Sequence, residues 1–244
     1  ASPGLQTVYR DHQCFYSLEA SAKNRHRSMT RSVFPLFLLA TLFIGQAASI
    51  EPVAEVAGAR VLDFDVFLND REVGHHRFEL LEQGESIEVS STMSLDFKVF
   101  KIKRVKYRHQ ANEIWQSGCL VALQSETEKQ GNAVAIQAST DQSGLVIQRP
   151  KEVETIAGCV RGFSYWNPQW LEGDNLLNAE TGINIPVAIS SRFSEQDNIT
   201  HIKVALPKAD IELQYDAAGE WLSLQTELLI GGTLRYQRVL KTKK

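Results

Sequence analysis

Side chains that carry out catalysis or bind metals are scarce in this sequence. Its 244 residues include three cysteines and six histidines, and no two cysteines stand in a C-x-x-C spacing. The G-x-S-x-G elbow, the H-E-x-x-H motif and glycine-rich phosphate loops are all absent from it. We therefore expect no metal and no cofactor, and an enzyme is the weaker of the functional hypotheses.

A hydrophobic run long enough to span a membrane is also missing. The stretch Val33–Ile44 covers twelve residues, whereas a transmembrane helix needs roughly 20. Arg31 precedes this stretch and small residues follow it, which is the order of a secretory signal peptide. We predict that residues 29–49 are a signal peptide, cleaved after Ala47 or Ser49. A buried core helix is the alternative.

The predicted cleavage divides the chain into three parts. Residues 1–28 form an upstream extension outside the fold, and residues 50–244 form one domain, exported to the periplasm or out of the cell and released from the membrane. Five of the 26 Lys and Arg and two of the 29 Asp and Glu precede residue 50, which leaves 21 basic and 27 acidic side chains. This net negative charge argues against binding to nucleic acid.

Only two cysteines, Cys119 and Cys159, remain in the predicted domain. An even number of cysteines in an oxidising compartment predicts one disulfide bond. The alternative is a pair of buried free thiols.

Apolar side chains recur at every second residue from Arg60 onward, as in the segment from Leu62 to Leu68. Such alternation is typical of antiparallel strands with one buried face. Turn signals separate about ten to twelve of these segments. The sequence therefore predicts an all-β fold, a single large, strongly curved antiparallel sheet or barrel.

One segment, Gly158 to Asn178, interrupts the alternation. It contains Phe163, Tyr165, Trp166 and Trp170, and Pro168 is placed to begin a short helix. We predict a loop with a short helix that folds back onto the sheet. It either plugs the open end of the sheet or forms a lid over an apolar cavity.

A basic run from Lys98 to Arg108 contains six lysines and arginines interleaved with apolar residues. Its cations, Arg104 among them, are candidates to meet an anionic headgroup or an acidic protein, and Tyr107 is a candidate ligand contact. An edge strand protected from aggregation by lysines is the alternative.

The adjacent histidines His75 and His76 would point to opposite faces of a strand, so they cannot readily bind one metal ion. His75 or His109 could serve as the general base of a hydrolase, but the sequence shows no nucleophile or acid beside either of them.

Four segments together resemble an uncharacterised family of exported bacterial proteins, domain-of-unknown-function family 6134. The resemblance implies a bacterial, periplasmic protein with no assigned activity, and it offers no catalytic residues. More distantly, the domain is similar to curved-sheet lipoprotein carriers, an analogy of fold alone. The segments are Tyr107–Leu123, Gly158–Pro168, Leu176–Gly182 and Ile211–Leu224.

The leading functional hypothesis is therefore non-catalytic binding of an apolar or amphipathic, lipid-like molecule. Its candidate ligand contacts are Tyr165, Trp166, Trp170, Arg104 and Tyr107. The alternatives are an envelope module that binds another protein through residues 98–108, and a hydrolase with a histidine base.

Overall fold

A computed structural model of the chain describes residues 59–99, 103–168, 171–228 and 231–240. The predicted upstream extension and signal peptide lie outside these residues. No helix in the described ranges is long and apolar enough to cross a membrane. The described chain forms fifteen strands: β1 Ala59–Leu68, β2 Arg71–Gln83, β3 Ser86–Val99, β4 Lys103–Gln116, β5 Cys119–Lys129, β6 Asn132–Asp141, β7 Gly144–Arg149, β8 Glu152–Ile156, β9 Asn175–Asn178, β10 Ile183–Pro186, β11 Ala188–Ser194, β12 Ile199–Ala205, β13 Asp210–Tyr215, β14 Trp221–Glu227 and β15 Thr233–Arg238.

Thirteen of these strands belong to one antiparallel sheet, in the order β11-β12-β13-β14-β15-β1-β2-β3-β4-β5-β6-β7-β8. The first and last strands of the described chain, β1 and β15, pair in the middle of the sheet. The edge strands β8 and β11 do not pair with each other in the described structure, so the sheet is open. The predicted all-β class and large antiparallel sheet are confirmed, with more strands than the ten to twelve expected.

Contacts between distant strands show how strongly the sheet curves. Strands β3 and β15 are three positions apart, which in a flat sheet is a separation of about 14 Å. The hydroxyl of Tyr236 on β15 nevertheless lies 3.1 Å from the sulfur of Met93 on β3. Likewise, the rings of Trp221 on β14 and Phe78 on β2 have centroids 5.6 Å apart. The sheet therefore curls around its own apolar face.

The alternating pattern of the sequence explains which face is inside. On β1, Leu62, Phe64 and Val66 are almost fully buried, and Asp63 and Asp65 between them face outward. Apolar residues at every second position of the other long strands continue this inner face. Burial of these side chains is the main force that favours the curled sheet.

One predicted strand is divided in the structure. The apolar row from Ile183 to Ile189 reads as a single strand in the sequence, but it forms β10 and β11, which belong to different sheets. Pro186 ends β10 because it has no N–H for further pairing. The N–H of Val187 then donates to the carbonyl of Asp174 rather than to a neighbouring strand.

The segment from residue 157 to 187, which we call the insert, connects the two edges of the sheet. Within it, β9 and β10 form a separate two-stranded sheet. Residues 169–170, in the predicted short helix, lie outside the described residues; next to them, the carbonyl of Pro168 accepts from the N–H of Leu171 at 3.2 Å. The predicted disulfide is confirmed, because Cys119 of β5 is bonded to Cys159 at the start of the insert.

Replacing Cys119 with serine should lower the melting temperature of the oxidised protein by about 10 °C. The disulfide closes a loop with a sequence separation of 40 residues, which corresponds to about 4 kcal/mol on the chain-entropy model. Thermal unfolding followed by circular dichroism, with and without reductant, measures this. The Cys119→Ser/Cys159→Ser double variant is the control, and its melting temperature should be the same with and without reductant. Equal melting of the wild-type protein under both conditions would refute a stabilising bridge.

Candidate functional site

A cavity of about 460 Å³ lies inside the curve of the sheet. Strands β2, β3 and β4 form one wall, strands β13, β14 and β15 form the opposite wall, and the insert covers it. The exposed residues Pro186, Pro207 and Lys208 also line the cavity, so it opens to solvent beside the turn between β12 and β13. The apolar part of the lining includes Phe78, Met93, Phe163, Leu224 and Leu234.

A row of polar and sulfur-containing side chains crosses one wall of this cavity. Strand register places His76 on β2 opposite Met93 on β3, and Met93 opposite His109 on β4. The row continues to Thr127 on β5. All four face inward and are buried or nearly so. The inner face, which is mostly apolar, therefore contains a polar band at this level.

His76 has no hydrogen-bond partner among the described residues on either ring nitrogen. Its ring lies 4.0 Å from that of Phe78 and 5.7 Å from that of Tyr236, measured between centroids. Burial, assisted by the nearby charge of His109, lowers the pKa of His76 to about 3. The imidazole is therefore neutral at physiological pH, with one donor and one acceptor available.

His109 is held by one polar neighbour. Its Nδ1 lies 2.9 Å from the hydroxyl oxygen of Thr127. Burial lowers the pKa of His109 to about 4, so this ring is also neutral at pH 7. In the described part of the chain, this hydrogen bond joins His109 to a hydroxyl group. A histidine that acts as a catalytic base is more commonly oriented by a carboxylate.

Glu113 lies on the same inner face of β4 as His109 and lines the cavity. The indole N–H of Trp115 donates to its carboxylate at 2.7 Å. Burial raises the pKa of Glu113 to about 7, against the smaller opposing effect of that hydrogen bond. The carboxyl group therefore changes its charge near neutral pH.

The insert adds a second buried carboxyl group, that of Glu180. The hydroxyl of Ser125 on β5 donates to the carbonyl of Ala179, which holds this part of the insert against the inner face. Glu180 is close enough to Tyr236 on β15 that its charge, after burial, contributes to raising the pKa of that hydroxyl. Glu180 therefore lies between the two walls of the cavity.

Arg149 on β7 also faces the cavity, but its charge is compensated. One of its terminal nitrogens lies 3.1 Å from Glu152 and 2.8 Å from Glu154, and the other donates to the carbonyl of Gly182 at 2.7 Å. Arg149 thus ties the insert to β7 and β8.

The structure brings Tyr165, one of the predicted ligand contacts, to the cavity. Its ring centroid lies 5.3 Å from that of Trp221, and its carbonyl accepts from the hydroxyl of Tyr215 at 2.9 Å. Trp166 is only 3% exposed and packs edge-on against Trp115, away from the cavity lining. This placement favours the plug over the lid for Trp166. Trp170 lies outside the described residues.

Arg104 and Tyr107 do not form one site. Tyr107 is buried on the inner face, whereas Arg104 is exposed on the outer face. The guanidinium of Arg104 forms two hydrogen bonds with Asp96, of 2.7 and 2.6 Å. Arg108 similarly lies 3.6 Å from Glu128. An anionic headgroup in the cavity would not meet these outward cations.

The basic run also differs from its prediction as a single strand. Lys98 lies on β3 and Arg104 on β4, so the run is divided between two paired strands, and residues 100–102 lie outside the described residues. The alternative of a protected edge strand is wrong, because β4 pairs with β3 on one side and β5 on the other.

His75, as predicted, faces away from His76. It lies on the outer face, with Nδ1 3.0 Å from Asp65 and Nε2 3.8 Å from Glu72. The three ligand atoms are close enough to hold a metal ion. Since each ring nitrogen faces a different carboxylate and all three side chains are at least partly exposed, the arrangement is fully explained as a cluster of polar side chains on the surface.

A match to a family model covers residues 64–239, and its description is Domain of unknown function, DUF6134. The chain belongs to this family. The DUF6134 domain therefore accounts for nearly all of the described structure. A comparison of the sequence with curated proteins finds no match.

Among solved structures, the chain is similar to a β-barrel-like protein of domain of unknown function DUF1849 from Brucella abortus. The TM-score is 0.51 and the sequence identity 10%, over 75% of this chain and 98% of the other. At this identity the likeness concerns the fold alone. The DUF6134 domain thus shares a curled all-β architecture with a second family of unknown function.

Replacing Glu113 with glutamine should remove part of the pH dependence of stability. The pKa of Glu113 rises from 4.5 to about 7 on folding, so the folded protein holds the proton more tightly between these values. The resulting stabilisation is present at low pH and lost as the pH rises through 7. We expect the free energy of unfolding to fall between pH 5 and 8 by on the order of 2 kcal/mol more in the wild type than in Glu113→Gln.

Urea unfolding at a series of pH values measures this difference. His76 and His109 are present in both proteins. Their opposite effect on the free energy of unfolding below pH 6.5 therefore cancels when the two proteins are compared. Glu126→Gln, at an exposed position of β5, is the control and should behave as the wild type does. Parallel curves for the wild type and Glu113→Gln would show that the Glu113 carboxyl is not perturbed.

Proposed function

We propose that this domain binds a small apolar or amphipathic molecule, without catalysis, in the cavity under the insert. The observation that carries the proposal is His76, a buried imidazole that faces an apolar cavity with both nitrogens unpartnered among the described residues. A buried polar group without a hydrogen bond costs about 1–3 kcal/mol. A polar group of a bound ligand would remove this cost.

The size and lining of the cavity support the same proposal. Its volume of about 460 Å³ is within the usual range of roughly 300–1,000 Å³ for small-molecule sites. Phe78, Leu224 and Leu234 offer apolar contacts, and His76 and Asn184 offer polar ones. The amide oxygen of Asn184 is buried and has no hydrogen-bond partner in the described structure, as for His76.

The proposed place of action is the periplasm or the outside of the cell. The Cys119–Cys159 disulfide supports this, because such bonds persist in oxidising compartments.

A variant that fills the cavity should abolish this binding. Ala179 is a partly buried residue of the cavity lining, and a phenylalanine there would occupy the space of a ligand. We expect Ala179→Phe to weaken binding of the neutral dye N-phenyl-1-naphthylamine by about tenfold or more, measured by fluorescence titration. Ser91→Leu, on the wall formed by β2–β4, tests the same point independently.

Ala133→Phe is the matched control, because Ala133 is exposed on β6 and far from the lining. Thermal unfolding of each variant establishes that it is folded. Failure of the folded wild-type protein to bind the dye, or equal binding by the cavity-filling variants and the control, would contradict the proposal.

A further inference from the structure

Two polar side chains of the cavity lining have unused hydrogen-bonding capacity. Both ring nitrogens of His76 on β2 and the amide oxygen of Asn184 on β10 are buried and have no hydrogen-bond partner within the described ranges. His76 is only 9% exposed. Its neutral ring carries one N–H donor and one acceptor nitrogen, and the amide oxygen is a further acceptor. The lining therefore offers a ligand both kinds of hydrogen-bonding group.

The neighbours of His76 do not supply its hydrogen bonds. Strand register places Phe64 on β1 and Met93 on β3 opposite it. The ring of Phe78 lies 4.0 Å from the imidazole, measured between centroids. The nearby hydroxyl of Tyr236 donates to the sulfur of Met93 at 3.1 Å instead. Packing alone therefore holds the imidazole in the described structure, and a molecule that enters the cavity can provide its hydrogen bonds.

We propose that the cavity selects an amphipathic molecule whose polar end is an uncharged hydroxyl group, hydrogen bonded to His76. This inference rests on the proposed function and specifies its ligand class. A hydroxyl both donates and accepts hydrogen bonds, so it can pair with either ring nitrogen in either tautomer. A ligand without a polar end would leave His76 with the cost of a buried polar group that has no partner.

A charged polar end fits this cavity less well. An anionic end has to give up its water, and burial of an unpaired charge is costly. The cation of Arg149 already contacts Glu152 and Glu154, and Lys208 is exposed at the opening. An ammonium group donates hydrogen bonds but accepts none, so it would leave the N–H of His76 unpaired.

Competition between ligands that share a pentylphenyl group tests this selectivity. The ligands are 4-pentylphenol, pentylbenzene, 4-pentylbenzoate and 4-pentylbenzylamine, and each is titrated against bound N-phenyl-1-naphthylamine at pH 7.5. We expect the phenol to bind about fivefold or more tightly than pentylbenzene, because it adds one hydrogen bond. It should bind about tenfold or more tightly than the benzoate, and at least as tightly as the amine.

Two neighbouring histidines provide the variant and its matched control. In His76→Leu, the phenol and pentylbenzene should bind equally well, because the polar partner is gone. His75→Leu changes the next residue along β2, on the outer face, and should keep the preference of the wild type. Thermal unfolding establishes that each variant is folded, and His76→Phe replaces His76→Leu if the latter does not fold.

Nitrogen NMR of the wild-type protein with labelled histidine locates the contact directly. The imidazole signals of His76 are those that are missing from the His76 variant. The phenol should shift them by more than pentylbenzene does, because only the phenol forms a hydrogen bond with the ring. Equal shifts with the two ligands would contradict the proposed contact.

The outcomes separate the two proposals. Equal binding of the phenol and pentylbenzene to the wild type is the result expected if buried water satisfies His76, and it would overturn the hydroxyl selectivity. Tighter binding of the benzoate or the amine, or a preference for the phenol that survives in the folded His76 variant, would overturn it as well. In each of these cases binding in the cavity stands, whereas failure of the dye itself to bind would overturn the proposed function.

Discussion

The insert between β8 and β11 is the element on which the rest of the structure depends. A curled sheet that remains open would expose its apolar inner face to water. The insert covers this face and forms hydrogen bonds with strands on both sides of it. Its carbonyl at Val160 accepts from the N–H of Leu120 on β5, and its carbonyl at Tyr165 accepts from the hydroxyl of Tyr215 on β13.

These contacts join strands that are far apart in the sheet, so the insert fixes the curvature as well as covering the core. Arg60 on β1 adds a third connection, by donating to the carbonyl of Trp166 at 2.8 Å. The Cys119–Cys159 disulfide bond holds the start of the insert next to β5. The cavity is the space that remains between the insert and the two walls, and its polar groups come from both. Which polar groups line the cavity therefore depends on how the insert packs against the sheet.

The period of two in the sequence was enough to predict the sheet and its inner face. The same alternation also includes two residues of the cavity lining. On β4, the inward positions of Val105 and Tyr107 continue to His109 and Glu113. Two titratable residues on an apolar face were thus visible in the sequence. Their significance was not, because the opposite wall, β13–β15, is more than 90 residues away along the chain.

Other features could not be derived from local patterns. Glu180 lies in the turn between β9 and β10, and only the hydrogen bond between Ser125 and the carbonyl of Ala179 shows how this turn is held against the inner face. By contrast, Arg104 and Tyr107 are three positions apart, an odd offset that places them on opposite faces of one strand, so the period of two alone could have separated them. The aromatic residues of the insert predicted that this segment packs against the sheet. The sequence did not distinguish Tyr165, which lines the cavity, from Trp166, which packs against Trp115 away from the lining.

The most direct test of this account is a crystal structure of the protein grown with N-phenyl-1-naphthylamine. The account predicts the aromatic rings of the dye between the walls formed by β2–β4 and β13–β15, with its nitrogen within hydrogen-bonding distance of His76. A cavity occupied only by ordered water, or a dye molecule bound on the outer face of the sheet, would contradict it.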